Sequence, residues 1–98
     1  MRGSMSMVGP VLIKGVIADA VWTAIQQLNP AAEVSDRGAY LRISAPTRCV
    51  LTSEAVTAAL GRSFRMPADL DAVMCSFRGE LSLSHERAIW HTKDATTG

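Results

Sequence analysis

Aromatic side chains are scarce in this 98-residue chain, at 5% of residues, and neither sign of charge is in excess: 10 Lys and Arg face 9 Asp and Glu, a net +1 at pH 7. A nucleic-acid binder needs a basic footprint for the phosphates and flat side chains for the bases. Here the basic residues are scattered, and beyond two phenylalanines only Trp22, Trp90 and Tyr40 could stack, so nucleic acid is excluded as a partner. Long apolar runs are also missing. None reaches the roughly 18–20 residues that cross a bilayer, and no basic segment leads into a short apolar stretch with a cleavage signal. The expectation is a cytoplasmic protein with no membrane role. Cysteine is limited to Cys49 and Cys75, too few and too isolated for a disulfide framework, and both are expected to be reduced core residues.

What remains is a globular balance, 48% hydrophobic and 19% charged, which lacks the low hydrophobicity and high net charge of a disordered chain. The length supports one domain with a modest core. Met1-Arg2-Gly3-Ser4, followed by Met5 and Met7, reads as an expression leader ahead of a native start. The expected organisation is therefore a leader or disordered tail over 1–7, a domain over 8–92, and a polar C-terminal tail over 93–98 that frays.

Val8-Gly9-Pro10 reads as a turn feeding a short apolar strand, Val11 to Lys14, which Gly15 breaks. From Val16 to Leu28, Ile17, Ala20, Val21, Ala24, Ile25 and Leu28 recur every three or four residues, the signature of an amphipathic helix, and Asn29-Pro30 stops it. Ala32 to Asp36 is a short strand, and Arg37-Gly38 turns into Ala39 to Ala45, where Leu41 and Ile43 alternate with Tyr40, Arg42 and Ser44. Pro46-Thr47 then turns the chain into Arg48 to Leu51, and the two runs are expected to pair antiparallel, exposing Arg42 and Arg48. Thr52 can cap a helix that carries Glu54 in its first turn, Val56, Ala59 and Leu60 on its apolar stripe and Gly61 at its end. Pro67 opens a short helix to Val73. The strand that follows places Cys75, Phe77, Leu81 and Leu83 on one parity and Ser76, Arg78, Glu80 and Ser82 on the other, so the second set is expected to face solvent or a partner. Ser84-His85-Glu86-Arg87 turns into a last strand bearing Ile89 and Trp90. The whole is an α+β fold, a mixed or antiparallel sheet of about six short strands with about three helices in the order β-α-β-β-β-α-α-β-β.

Chemistry is hard to find along this chain. His85 and His91 lack a cysteine or carboxylate set at metal-ligand spacing. Ser84-His85-Glu86 holds the residue types of a hydrolase, but neighbours on one turn cannot line up as nucleophile, base and orienting acid. Gly61-Arg62-Ser63-Phe64 follows a helix rather than joining strand to helix, so it reads as a helix end and not a phosphate loop. Met5, Met7, Met66 and Met74 together suggest an adaptable contact surface, but the first two belong to the leader and Met74 reads as a core filler. Trp22, at the edge of the first helix's stripe, either caps the core or projects as an interface anchor. A domain without an acid/base pair, metal set or phosphate loop points to a function carried by its surface.

The order of elements resembles the effector, or coupling, proteins of bacterial multicomponent monooxygenases, the family that serves soluble methane, phenol, toluene and alkene monooxygenases. The resemblance spans Val8 to about Thr92. It rests on Val8-Gly9-Pro10-Val11, on Ala39-Tyr40-Leu41-Arg42-Ile43, on Leu51-Thr52 with Val56 and Leu60-Gly61-Arg62-Ser63-Phe64, on Cys75-Ser76-Phe77-Arg78-Gly79, and on Arg87-Ala88-Ile89-Trp90. The short lead before Val8 is most similar to the toluene and alkene branch. The resemblance implies a protein that is not an enzyme and has no cofactor. Such a protein binds a diiron hydroxylase, adjusts its active site and couples NADH-derived electrons to hydrocarbon hydroxylation or epoxidation, on a surface that overlaps that of the ferredoxin or reductase. It also implies that Ser76, with Phe77, Arg78 and Gly79, faces the hydroxylase. Val8, Gly9 and Pro10 form a second candidate contact, as an irregular segment that orders on docking, and Trp22 a third. The turn Ser84 to Arg87 is less acidic than in relatives, which implies weaker electrostatic steering. The competing readings are a small-molecule-sensing αβ regulatory domain, in which Gly38 and Gly61 would serve ligand loops, and a permanently assembled structural subunit.

Overall fold

The computed structural model describes residues 6–92. The elements run β1 (Met7–Ile13), α1 (Val16–Leu28), β2 (Glu33–Asp36), β3 (Tyr40–Pro46), β4 (Arg48–Thr52), α2 (Ser53–Leu60), α3 (Ala68–Val73), β5 (Met74–Arg78), β6 (Glu80–Leu83) and β7 (Arg87–His91). Met7, expected in the leader, is thus the first residue of a strand; residues 1–5 and the C-terminal tail lie outside the described residues.

Local sequence sets the helices. α1 buries Ala18, Ala20, Val21, Ala24 and Ile25 on one face, the stripe that three-and-four spacing predicts, whereas Leu28 at its end stays 41% exposed. The Thr52 hydroxyl accepts the Ala55 N–H at 3.2 Å and so caps α2, and Gly61 ends that helix with φ 82 and its N–H on the Thr57 carbonyl.

The strands form two antiparallel sheets, β2-β3-β1-β5 and β4-β7-β6. Two expectations fail here. Pro46-Thr47 is not a hairpin: β3 pairs with β1 and β2, whereas β4 pairs with β7. Thr47, at φ 60, is instead a corner between the sheets, with its N–H on the Ser6 carbonyl at 2.8 Å and its own carbonyl accepting from Thr92 at 3.1 Å. The run from Cys75 to Leu83 is likewise not one strand. It breaks at Gly79 into β5 in the first sheet and β6 in the second, giving seven strands rather than six. The alternation read through it assumed a straight strand, and the change of sheet resets it. Cys75 and Phe77 are consequently exposed rather than core, Leu83 is exposed too, and Leu81 alone of the four packs on the core.

The core between the sheets and helices is built of apolar side chains, with the indole N–H of Trp90 buried and unpaired among them. Val8 and Leu12 of β1, Leu41, Ile43 and Ala45 of β3, Cys49 and Leu51 of β4 and Trp90 of β7 meet Val21 and Ile25 of α1, Val56 of α2 and Leu70 of α3. No polar or charged side chain is buried among the described residues. Asn29 ties helix to sheet. Its side-chain amide donates to the carbonyls of Ile25 and Val50, both at 2.8 Å, and its Oδ1 accepts the Val50 N–H at 2.9 Å. β4 is an edge strand, and this side chain satisfies both backbone groups of Val50 as a neighbouring strand would.

Candidate functional site

The residue types that suggested chemistry are occupied with structure. The Ser84 hydroxyl accepts the N–H groups of Glu86 and Arg87 at 3.3 and 3.2 Å, which shapes the β6–β7 turn. His91 sets its Nε2 3.2 Å from the Ser82 hydroxyl on the neighbouring strand. No group of three or more His, Cys, Asp or Glu side chains that could hold a metal occurs among the described residues. A cleft of about 380 Å³ lies between the start of α2 and the β6–β7 turn, lined by Thr52, Ser53, Glu54, Glu86 and Arg87; neither Gly38 nor Gly61 borders it.

The first sheet offers a surface. Register assigns its faces, because residues paired across strands share a side. The inward set, Val8, Leu12, Leu41, Ile43 and Ala45, is buried. On the other side one row crosses all four strands: Ser35 opposes Arg42, Arg42 opposes Val11, and Val11 opposes Ser76. Flanking it, Glu33 opposes Ser44, Gly9 opposes Arg78, and Ile13 opposes Tyr40. Ser76 and Arg78 are exposed, as the expected docking strand requires. Phe77 has the other parity, yet β5 is an edge strand and its ring stays 42% exposed beside the row. The outward parity of Ser76 and Arg78 therefore holds within β5, although the longer alternation does not.

Gly79 turns the chain out of this strip. With φ 95, its missing Cβ would lie 2.6 Å from Val8 Cγ1 and 2.8 Å from the His91 carbonyl oxygen, so here the two sheets touch through a position that admits no side chain. Among the sequence candidates, Ser76, Phe77, Arg78 and Gly79 come together. Trp22 does not join them; it is half-buried and packs against the core from α1, the capping role.

The Val8-Gly9-Pro10 expectation needs correction. These residues are not an irregular segment awaiting a partner but the buried middle of a central strand, with Val8 2% exposed. Pro10 is tolerated because the β1–β3 ladder lapses at Gly9 and Pro10, where Pro10 has no N–H to give. Gly9 is required at that point because a Cβ would run into the Ile43 carbonyl.

Sequence reasoning missed two further residues. Asn29 looked like a helix stop and is also a strand partner. Arg42 looked like an ordinary exposed strand residue, yet it is half-buried in the middle of the outward row, with an Nε that is buried and has no hydrogen-bond partner. The signal for both is a long-range pairing that no local window contains.

A model of the MmoB/DmpM family matches residues 6–91. The chain belongs to that family. A curated relative, the effector subunit of the alkene monooxygenase system of Xanthobacter autotrophicus Py2, is 42% identical over 90 residues, which cover 90% of this chain and 88% of that protein. Two solved structures of a phenol hydroxylase–regulatory protein complex each contain a chain of the same fold. One has a TM-score of 0.79 at 23% identity, with 88% of this chain and 98% of that one covered. The other has a TM-score of 0.75 at 24% identity, with coverage of 88% and 99%. The MmoB/DmpM match begins one residue before β1 and ends with β7, so it takes in both sheets.

Proposed function

We propose that this protein is the non-catalytic effector of a multicomponent monooxygenase. It docks on the diiron hydroxylase component, adjusts its active site and couples NADH-derived electrons to oxygen activation and the hydroxylation or epoxidation of a hydrocarbon. The observation that carries this reading is the 42% identity, across nearly the full length of both chains, to the effector subunit of an alkene monooxygenase system. The physical form of the action is differential binding. An effector shifts its partner only by contacting the reactive conformation better than the resting one, and couplings of this kind amount to about 1–3 kcal/mol, or roughly 5–150-fold in an equilibrium. Such a role needs shape and exposed donors rather than a reactive group.

Within this reading the docking strip is Ser76, Phe77, Arg78 and Gly79 on the free edge of the first sheet. The small Ser76 side chain permits close approach to the hydroxylase. The protein carries no cofactor of its own, and its surface overlaps that of the ferredoxin or reductase, so effector and electron donor alternate on the hydroxylase. Support comes from the exposure of β5. The test is binding. Dye-labelled protein titrated with purified cognate hydroxylase should show a saturable rise in anisotropy that excess unlabelled protein reverses. A flat titration at micromolar concentrations would remove the effector reading.

A further inference from the structure

We infer that the face of the first sheet turned away from the core is a receptor for carboxylates on an acidic protein surface, with the Arg42 guanidinium at its centre. The partner named for it, the hydroxylase, rests on the effector reading above.

Three observations converge. The Arg42 Nε lies buried against the sheet with no hydrogen-bond partner, an orphaned donor on a charged group. The ion pair among the described residues joins Lys14 to Asp36, so neither Arg42 nor the exposed Arg78 has a carboxylate of its own. The neighbours of the same parity add donors: Ser35 and Ser76 belong to the row of Arg42, and Ser44 stands two residues along its strand. Against these stands one acidic residue, Glu33. Adjacent strands are about 4.8 Å apart, so the row from Ser35 to Ser76 spans about 14 Å, wide enough to receive a helix of about 10 Å diameter laid on it.

Guanidinium suits this role because its planar fork meets a carboxylate through two parallel hydrogen bonds. Phosphate fits the same fork, but the chain lacks both the basic excess and the stacking side chains of a nucleic-acid surface. The observations therefore favour an acidic protein. A carboxylate that draws the Arg42 guanidinium off the sheet gives its Nε the partner that the free protein leaves it without, which ties the energy of docking to this position.

The experiment compares wild type, Arg42→Gln, Arg42→Lys and, as a control on the other sheet, Arg48→Gln. Each is titrated with the purified hydroxylase between 50 and 300 mM salt, with thermal unfolding measured in parallel. Arg42→Gln should weaken Kd by about tenfold or more at the lower salt and flatten its salt dependence, with an unchanged melting temperature. Arg42→Lys should recover part of the loss, and Arg48→Gln none of this behaviour. In wild type labelled with nitrogen-15 arginine, the Arg42 Nε–H resonance should shift on binding. A hydroxylase that binds Arg42→Gln as tightly as wild type, with the Nε–H resonance unmoved, overturns the carboxylate face while leaving the effector reading in place. Wild type that does not bind the hydroxylase overturns both. Duplex DNA held by wild type and released by Arg42→Gln would overturn the choice of an acidic protein.

Discussion

Replacing Gly79 by Ala should destabilise the fold far more than the same change at Gly61. Both glycines have positive φ, 95 and 82, so each substitution carries a similar backbone penalty of about 1–2 kcal/mol. Their surroundings differ. At Gly61 a Cβ meets nothing within 4 Å, whereas at Gly79 it meets Val8 Cγ1 at 2.6 Å and the His91 carbonyl at 2.8 Å. The carbonyl belongs to a paired strand and Val8 is fixed in the core, so neither yields cheaply, and forcing a carbon into such a site adds about 1–3 kcal/mol. Gly79→Ala should therefore lose roughly 2 kcal/mol more than Gly61→Ala. For a domain of this size that is a further fall of about 8–16 °C in Tm. Circular dichroism melts, backed by urea titrations to confirm an unchanged m-value, read the difference directly. Equal losses at the two positions would refute the close approach of the sheets at Gly79, and with it the account of why β5 and β6 part company there.

Ser76→Trp should keep the wild-type melting temperature within the roughly 0.5 kcal/mol usual for surface changes, yet lower hydroxylase affinity or the yield of product per NADH; wild-type affinity and coupling in the folded variant would take β5 out of the interface. Asn29→Ala should cost about 1–3 kcal/mol by orphaning both backbone groups of Val50, measurable by urea unfolding, and a neutral result would mean that water replaces the side chain. Burial pushes the Cys49 thiol up to about 12. The stability linked to it is thus intact below its ordinary value of 9.0 and is lost as pH rises from there towards 12. At pH 8 a disulfide reagent should modify the exposed Cys75 quickly and Cys49 only on unfolding; equal rates would contradict the burial of Cys49.

What the sequence revealed was local. The stripe of α1, the Thr52 and Gly61 caps of α2, the Arg37-Gly38 hairpin and the turn built on Ser84 each depend on residues within a few positions of one another, where periodicity and side-chain hydrogen bonding decide. What it hid was the assignment of strands to sheets. Pro46-Thr47 looks like any tight turn, and only the pairing of β4 with β7, about forty residues away, shows it to be a corner. Gly79 sits in an uninterrupted alternation, and its role depends on Val8 and His91. Val8-Gly9-Pro10 reads as a turn, and only the lapse in the β1–β3 ladder shows how a central strand accommodates Pro10. The candidate strip on β5 was legible because parity survives over five residues, whereas Arg42 was not, because its significance lies in cross-strand neighbours on β1 and β2.

The most direct test of the effector role is the ratio of product formed to NADH consumed by the cognate hydroxylase and its electron-transfer partners as this protein is added. The ratio should be low without it, rise towards one as it is added, and reach a plateau at about one effector per hydroxylase active site, with no product from the protein alone. A ratio indifferent to the protein over a range in which it demonstrably binds the hydroxylase would contradict the coupling role.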